Sequence, residues 1–298
     1  MFLSVSEIAK IWELSERSVR NYCAQGRIEG AFLTGKTWNI PKDATKPDRA
    51  PNRGTLLSVL AVEKEGKILN GIYHKIQVLF AYNFGAFEGL KTSKEQTDFL
   101  FQKGTLEDTN FVPFLDIIKT INFFKCINFV IDNARKPLSE KFFKDLLFLI
   151  KDGTASFCVP FGPIDTQSKQ ELVKPIKQAK KGVKTGKNSQ AMSEELKMLL
   201  EAYNYENKTF ETIIKFNRDL QVICPFGAES DLLGRIVMLK ECLSNNIVPF
   251  VVDEELKDNY IQGFKLWNKD KSFLIDTCQA CQAKFKKVLD EFGVKYQN

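Results

Sequence analysis

The chain has 298 residues, 44% apolar and 12% aromatic with 25 Phe, enough to bury a sizeable core in one large domain or two smaller ones. Its charged fraction of 27% and net charge of +6 are those of an ordinary soluble protein, and they permit nucleic-acid contact without requiring it. No apolar run suits a bilayer, since FLDIIKTINFFKCINFVI is broken by Asp116, Lys119, Asn122 and Lys125, and MFLSVSEIAKIW lacks the pattern of a secretory leader, so a cytoplasmic protein with no membrane contact is expected.

SVSEIAKIWEL pairs Ser4 with Glu7 in a capping-box pattern, and Val5, Ile8, Ile11 and Trp12 then recur at helical spacing. SERSVRNYCAQG restarts with Ser15 as cap, carries Val19, Tyr22 and Cys23 as its apolar stripe, and stops at Gly26. RIEGAFLTGKTWNIP alternates and turns at Thr34 and Gly35, the pattern of a short β-hairpin. Two helices at a tight turn followed by a hairpin predict a winged helix-turn-helix.

On the second helix Arg17, Ser18, Arg20 and Asn21 lie away from the apolar stripe. Arg17, Arg20 and Asn21 share one face, and such side chains suit guanine and adenine in the major groove. Arg27 and Lys36 fall at the foot and tip of the hairpin, where phosphates are met. Residues 1–54 hold nine basic groups against six acidic ones. The stretch SVSEIAKIWELSERSVRNYCAQGRIEGAFLTGKTWNIPKDA resembles the MerR- and excisionase-like helix-turn-helix family, which implies DNA as a partner. A small domain kept for protein contacts is the other reading.

PKDATKPDRAPNRGT is a linker, rich in Pro and charge. Beyond it the segments SKEQTDFLFQKG, FVPFLDIIKTINFFKCINFVID, LSEKFFKDLLFLIKDG, MSEELKMLLEAYNYE and KTFETIIKFNRDLQVI repeat apolar residues at helical intervals. Thr92 with Glu95 fits a capping box, and Ser139 and Ser193 fit caps. The expected fold is mainly α: a small winged helix-turn-helix domain with its linker, residues 1–54, followed by an all-α domain, residues 55–298. ELVKPIKQAKKGVKTGKNSQ departs from this pattern; Lys174, Lys177, Lys180, Lys181, Lys184 and Lys187 make a basic loop, either a solvated surface or a polyanion site.

The seven cysteines are scattered, as suits a reducing compartment. Cys278 and Cys281 form one C-x-x-C, but with a single histidine in the chain a zinc site lacks ligands. Two thiols on one helix, facing the core or an edge, are expected there. No metal and no cofactor is expected.

CPFGAESDLLGR follows the helical run ending in DLQVI and leads into IVMLKECLSNN, so a loop between two helices is expected. Together with LNGIYHKIQVLFAYNFGAFEG, TINFFKCINFVID, LLGRIVMLKECLSNNIVPFVVDEELKDNYIQGFKLWN and SFLIDTCQACQAKF, it resembles the Fic family over roughly residues 68–290. That family transfers AMP from ATP to protein hydroxyls through the signature HPFx(D/E)GNGRxxR. Against it, Cys224 stands for the histidine base and Ala228 for the metal-holding acid. Glu229, Ser230 and Asp231 stand for the Gly-Asn-Gly that cradles phosphates, and Leu232 for the first arginine. Pro225, Phe226, Gly234 and Arg235 remain.

A lost general base costs about 100- to 10,000-fold in rate. Losing the metal removes the main stabilisation of charge in phosphoryl chemistry. Replacing the glycines closes backbone conformations that other residues adopt poorly, and acids beside a triphosphate repel it. A nucleophilic thiolate at Cys224 would need His, Lys or a helix start nearby, and no His is available, so Cys224 reads as a core filler.

YNFGAFEG resembles the family's inhibitory motif (S/T)xxxE(G/N), with Phe84 in place of the hydroxyl residue and with Glu88 and Gly89 kept. The resemblance pairs Glu88 with Arg235, as an inhibitory pair whose target machinery is gone or as a structural salt bridge. No hairpin flap for docking a target is recognisable between KDGTASFC and MSEELKMLL. The resulting expectation is a catalytically degenerate Fic protein without catalytic residues, a pseudoenzyme. It would bind DNA and act as regulator or antitoxin-like partner of an active Fic relative or of that relative's target, alone or as a homodimer. A weak or altered protein adenylyltransferase and a protein-interaction scaffold without a DNA role are the alternatives.

Overall fold

Local capping starts the first two helices. The Ser4 hydroxyl accepts from the Glu7 amide at 3.4 Å while the Glu7 carboxylate accepts from the Ser4 amide at 2.8 Å. Ser15 Oγ accepts from the Ser18 amide at 3.1 Å. These interactions belong to α1 (Val5–Trp12) and α2 (Glu16–Ala24). The structure, a computed structural model, describes residues 2–12, 14–24, 26–35, 37–47, 55–106, 112–154, 189–294 and 296. The described chain divides into two compact units, Met1–Ile76 and Gln77–Asn298.

In the first unit a three-stranded sheet accompanies α1 and α2. β1 (Phe2–Leu3) and β2 (Phe32–Thr34) flank β3 (Thr37–Pro41), and both pairings are antiparallel. The register sets Leu3 opposite Ile40, Leu33 opposite Trp38 and Thr34 opposite Thr37. β1 is too short to show an alternating pattern and was not expected. Val5, Ile8, Ala9, Trp12, Val19, Cys23, Ile28 and Ile40 form one buried cluster. Lys46 Nζ closes on the Trp12 carbonyl at 2.6 Å.

α3 (Leu56–Glu65) and the start of α4 (Ile72–Phe87) also fall in this unit. Here the Glu63 carboxylate accepts from the Tyr73 amide at 2.8 Å. His74 is buried, and its Nδ1 accepts from the Asn70 amide at 2.9 Å. The chain's single histidine thus serves the start of a helix.

The second unit is helical. Its elements are the rest of α4, α5 (Lys94–Lys103), α6 (Phe114–Asn133), α7 (Glu140–Lys151), α8 (Ser189–Tyr205), α9 (Phe210–Ile223), α10 (Ser230–Ser244), α11 (Lys257–Leu266) and α12 (Ser272–Glu291). α10 packs on α9, α6 and α7 and is buried from Leu232 to Leu243. Ile214, Met238, Phe250, Tyr260, Trp267 and Leu274 belong to one of its core clusters. Cys278 and Cys281 sit in that cluster on α12; burial pushes the Cys281 thiol up to about 12 and Cys278 well up. Lys240 is buried beside Glu241 at 2.6 Å, and its ammonium also reaches the Lys136 carbonyl at 2.6 Å. The other Glu241 oxygen accepts from the Tyr203 hydroxyl at 3.0 Å, so this buried charge pair has its partners.

Three boundaries differ from the sequence reading. α5 is capped by Ser93 with Gln96, not by Thr92 with Glu95; Thr92 is buried, where its hydroxyl accepts from Thr120 at 3.3 Å. α8 begins at Ser189, so Ser193 lies inside it. α10 begins at Ser230 rather than at Ile236, because Ser230 to Leu233 hold no helix breaker and Ser230 and Asp231 suit a first turn. Among the described residues no helix is long and apolar enough to cross a membrane.

Candidate functional site

The segment between α9 and α10 is a tight turn followed by a 3-10 turn at Gly227–Glu229. Cys224 ends α9 in the left-handed conformation, φ 53°, and its amide donates to the Leu220 carbonyl at 2.9 Å. Its thiol donates to the Gly227 carbonyl at 3.3 Å. Cys224 is half-buried, so it is a helix cap rather than the core filler expected. The Phe226 amide donates to Ser230 Oγ at 3.0 Å, the Gly227 amide to the Cys224 carbonyl at 3.2 Å, and the Ser230 amide to the Gly227 carbonyl. Pro225 has no amide hydrogen to give. Three backbone donors, those of Phe226, Gly227 and Ser230, are therefore engaged within the turn, and the Cys224 amide is engaged by α9.

The remaining side chains divide between packing and charge. Phe226 stacks on Phe143, with centroids 5.5 Å apart and planes inclined by 15°. Leu232 is buried and Ala228 exposed. Gly234 faces Asn217 of α9: a Cβ there would lie 1.8 Å from Asn217 Oδ1. The missing Cβ leaves room for the Asn217 amide between the two helices. Asn217 in turn donates to the Tyr260 hydroxyl at 2.7 Å, and Tyr260 is pushed well up, first by burial and then by Asp231.

Arg235 organises the charged part. Its side chain is 3% exposed; Nη2 lies 2.5 Å from Glu88 Oε1 and 3.3 Å from Asp231 Oδ2. Its guanidinium carbon stands 3.8 Å from the centre of the Phe87 ring, and Lys257 Nζ lies 4.8 Å from that same centre while donating to the Phe87 carbonyl at 2.7 Å. Gln221 Nε2 donates to the second Asp231 oxygen at 2.7 Å. Gly89, just after Glu88, has φ 81°, a conformation that ends α4 with little strain only for glycine. Apart from this cluster, Glu229 pairs with Lys151 of α7 at 3.1 Å.

The structure therefore joins Glu88 to Arg235 and keeps Glu229 separate from them. The sequence reading missed Asp231 as a second partner of Arg235, although the i,i+4 spacing carried that signal. It missed Phe87, Lys257 and Lys151, for which no local signal exists. Among the described residues no group of three or more His, Cys, Asp and Glu is placed to hold a metal ion.

In the first unit Arg20 and Asn21 are exposed on α2, Ser18 is half-buried with Oγ 2.8 Å from Ser15 Oγ, and Arg27 stands 4.7 Å over the Tyr22 ring. Arg17 lies in α2, but its side chain is outside the described residues, as are Lys36 and the Lys174–Lys187 loop.

No family model and no curated protein matches the sequence. Solved structures do. A Fic-domain-containing signalling protein from Bacteroides thetaiotaomicron aligns over 81% of this chain and 98% of its own, with TM-score 0.58 and 15% identity. Two structures of Fic-1 from C. elegans align over 78% of this chain and 70% and 69% of theirs, with TM-scores 0.58 and 0.57 and 14% identity. Identities this low speak for the fold alone, and this chain has the fold of Fic domain proteins.

Proposed function

We propose that this chain is a catalytically degenerate Fic-family protein whose amino-terminal winged helix-turn-helix binds DNA, and that it regulates, or acts as an antitoxin-like partner of, an active Fic relative. The observation that carries the loss of catalysis is the turn between α9 and α10. Its Phe226, Gly227 and Ser230 amides are engaged within the turn and its Cys224 amide by the Leu220 carbonyl of α9, while Arg235, just inside α10, is held by two carboxylates. Phosphates are bound by free backbone amides and unclaimed cations, and this turn offers neither at those positions.

The residues that keep the family's pattern support the same reading. Half-buried Phe226 stacks on the buried Phe143, Gly234 admits Asn217, and Arg235 is buried among Phe87, Glu88 and Asp231. Each has a packing role. The positions that depart, Cys224, Ala228, Glu229, Ser230, Asp231 and Leu232, are those whose family residues serve nucleotide and metal. A fold retained without its chemistry is suited to binding a related protein, and exposed Arg20 and Asn21 on α2 are suited to base contacts.

The test uses the full-length chain. Fluorescence anisotropy with the duplex upstream of its own gene should show tighter binding than with a random duplex, and co-expression with a Fic protein bearing an intact HPFxxGNGR signature should yield a complex. Equal binding to both duplexes removes the DNA role, and self-sufficient AMP transfer restores the enzyme reading.

A further inference from the structure

Glu16 and Arg20 lie one turn apart on α2, with Oε2 of the acid 2.6 Å from Nη2 of the base. Their side chains are 48% and 57% exposed. An exposed pair of this kind adds little to helix stability. Its other effect is geometric: it favours one orientation of a long side chain before any ligand arrives. The bond uses one of the five guanidinium donors, and among the described residues the others have no protein partner.

A guanidinium already paired with a carboxylate has little net charge to offer a phosphate, and little counterion release follows from its contact. What it keeps is a directed edge of donors. That edge matches the O6 and N7 acceptors of guanine in the major groove.

We propose that Glu16 is the positioning residue for base reading by Arg20: it presents the guanidinium edge to a guanine, and its own charge disfavours contacts in which the helix meets phosphates alone. This inference rests on the DNA-binding reading above. It makes discrimination at one G·C pair depend on an acid that itself need not touch the base.

The experiment is a double-mutant cycle in the full chain. Duplexes are first selected from a randomised pool with the wild type, and each enriched guanine is then replaced in turn by adenine. Glu16→Gln should lower discrimination at one guanine by about two- to fivefold, the range of an exposed ion pair, and should raise affinity for random duplex. In an Arg20→Ala background Glu16→Gln should leave discrimination unchanged. A merely structural role predicts the same loss in both backgrounds, and that result overturns the proposal, as does unchanged discrimination in Glu16→Gln alone. If the pool yields no enriched sequence, the underlying DNA reading fails, and this inference fails with it.

Discussion

Glu88 and Arg235 meet at 2.5 Å although 147 positions separate them in the chain, and the two are unequal partners: the Arg235 side chain is 3% exposed, that of Glu88 37%. Arg235 also has Asp231 at 3.3 Å and the Phe87 ring at 3.8 Å. Removing Glu88 therefore leaves a buried charge with one carboxylate still beside it. Glu88→Ala should destabilise the fold by about 1–2 kcal/mol, below the cost of stranding a charge that loses its only partner. Urea unfolding measures this. No AMP transfer should appear in the variant, and gain of transfer on any protein substrate would mean that the pair still restrains a working site.

The close approach of α9 and α10 gives a sharper stability test. Because a Cβ on Gly234 would lie 1.8 Å from Asn217 Oδ1, Gly234→Ala must push the helices apart or displace Asn217 from Tyr260. Overpacking costs about 1–3 kcal/mol. The double variant Gly234→Ala with Asn217→Ala should be more stable than the sum of the single changes predicts, since removing the amide makes room for the methyl. Additive unfolding free energies would show that the contact does not govern Gly234.

Much of this arrangement was readable before the fold was known. Ser4, Ser15 and Ser139 fit caps because their signals are local, and each is found bonded to an amide of its helix's first turn. At α5 two overlapping patterns competed, Thr92 with Glu95 and Ser93 with Gln96, and burial of Thr92 against α6 decided between them. Sequence spacing has no access to that contact. The helix α10 starts at Ser230, earlier than the loop-like composition of Gly227 to Asp231 suggests, because Ser230 and Asp231 suit a helix's first turn. Lys151 and Lys257 come from distant elements, and only the tertiary structure brings them to Glu229 and Phe87.

Buried acids of weak strength predict a fragile alkaline side. Burial raises the thiols of Cys126, Cys242, Cys278 and Cys281, the last to about 12, and the hydroxyls of Tyr203 and Tyr260. In the unfolded chain these thiols lose their protons near pH 8.5. The folded state then holds more protons than the unfolded one, so stability falls as pH rises from about 8.5 toward 12 and is fully present below that window. Each such group contributes a slope of up to about 1.4 kcal/mol per pH unit. Urea midpoints between pH 8 and about 10.5 should fall steeply; a flat profile would mean that the thiols are not protected.

Nucleotide affinity separates the degenerate reading from the enzymatic one. The Glu229 carboxylate faces Lys151, Asp231 faces Arg235, the Phe226, Gly227 and Ser230 amides are engaged within the turn, and the Cys224 amide is engaged by α9. A triphosphate would have to displace these contacts and lie beside two acids. Titration calorimetry with ATP and Mg²⁺ should give a Kd weaker than about 1 mM, roughly −4 kcal/mol. Micromolar affinity would overturn the degenerate reading.

Arg20 and Arg27 should contribute to DNA binding in different ways. Arg20 is exposed on α2 and paired with Glu16, and under the DNA-binding proposal it takes the base contact. Arg27 is half-buried and stands over the Tyr22 ring, and under the same proposal it takes a phosphate contact. Arg20→Ala should cost about 1–3 kcal/mol on the selected duplex and much less on random DNA, with the salt slope barely changed. Arg27→Ala should weaken both duplexes alike and reduce the slope of log K against log salt by about 1. One such module covers little surface, so tight binding needs two copies on a repeated site, and affinity should drop when one half-site is scrambled. Anisotropy titrations at several salt concentrations provide all these quantities. Equal slopes and equal discrimination in the two variants would remove the assignment of base contact to one arginine and phosphate contact to the other.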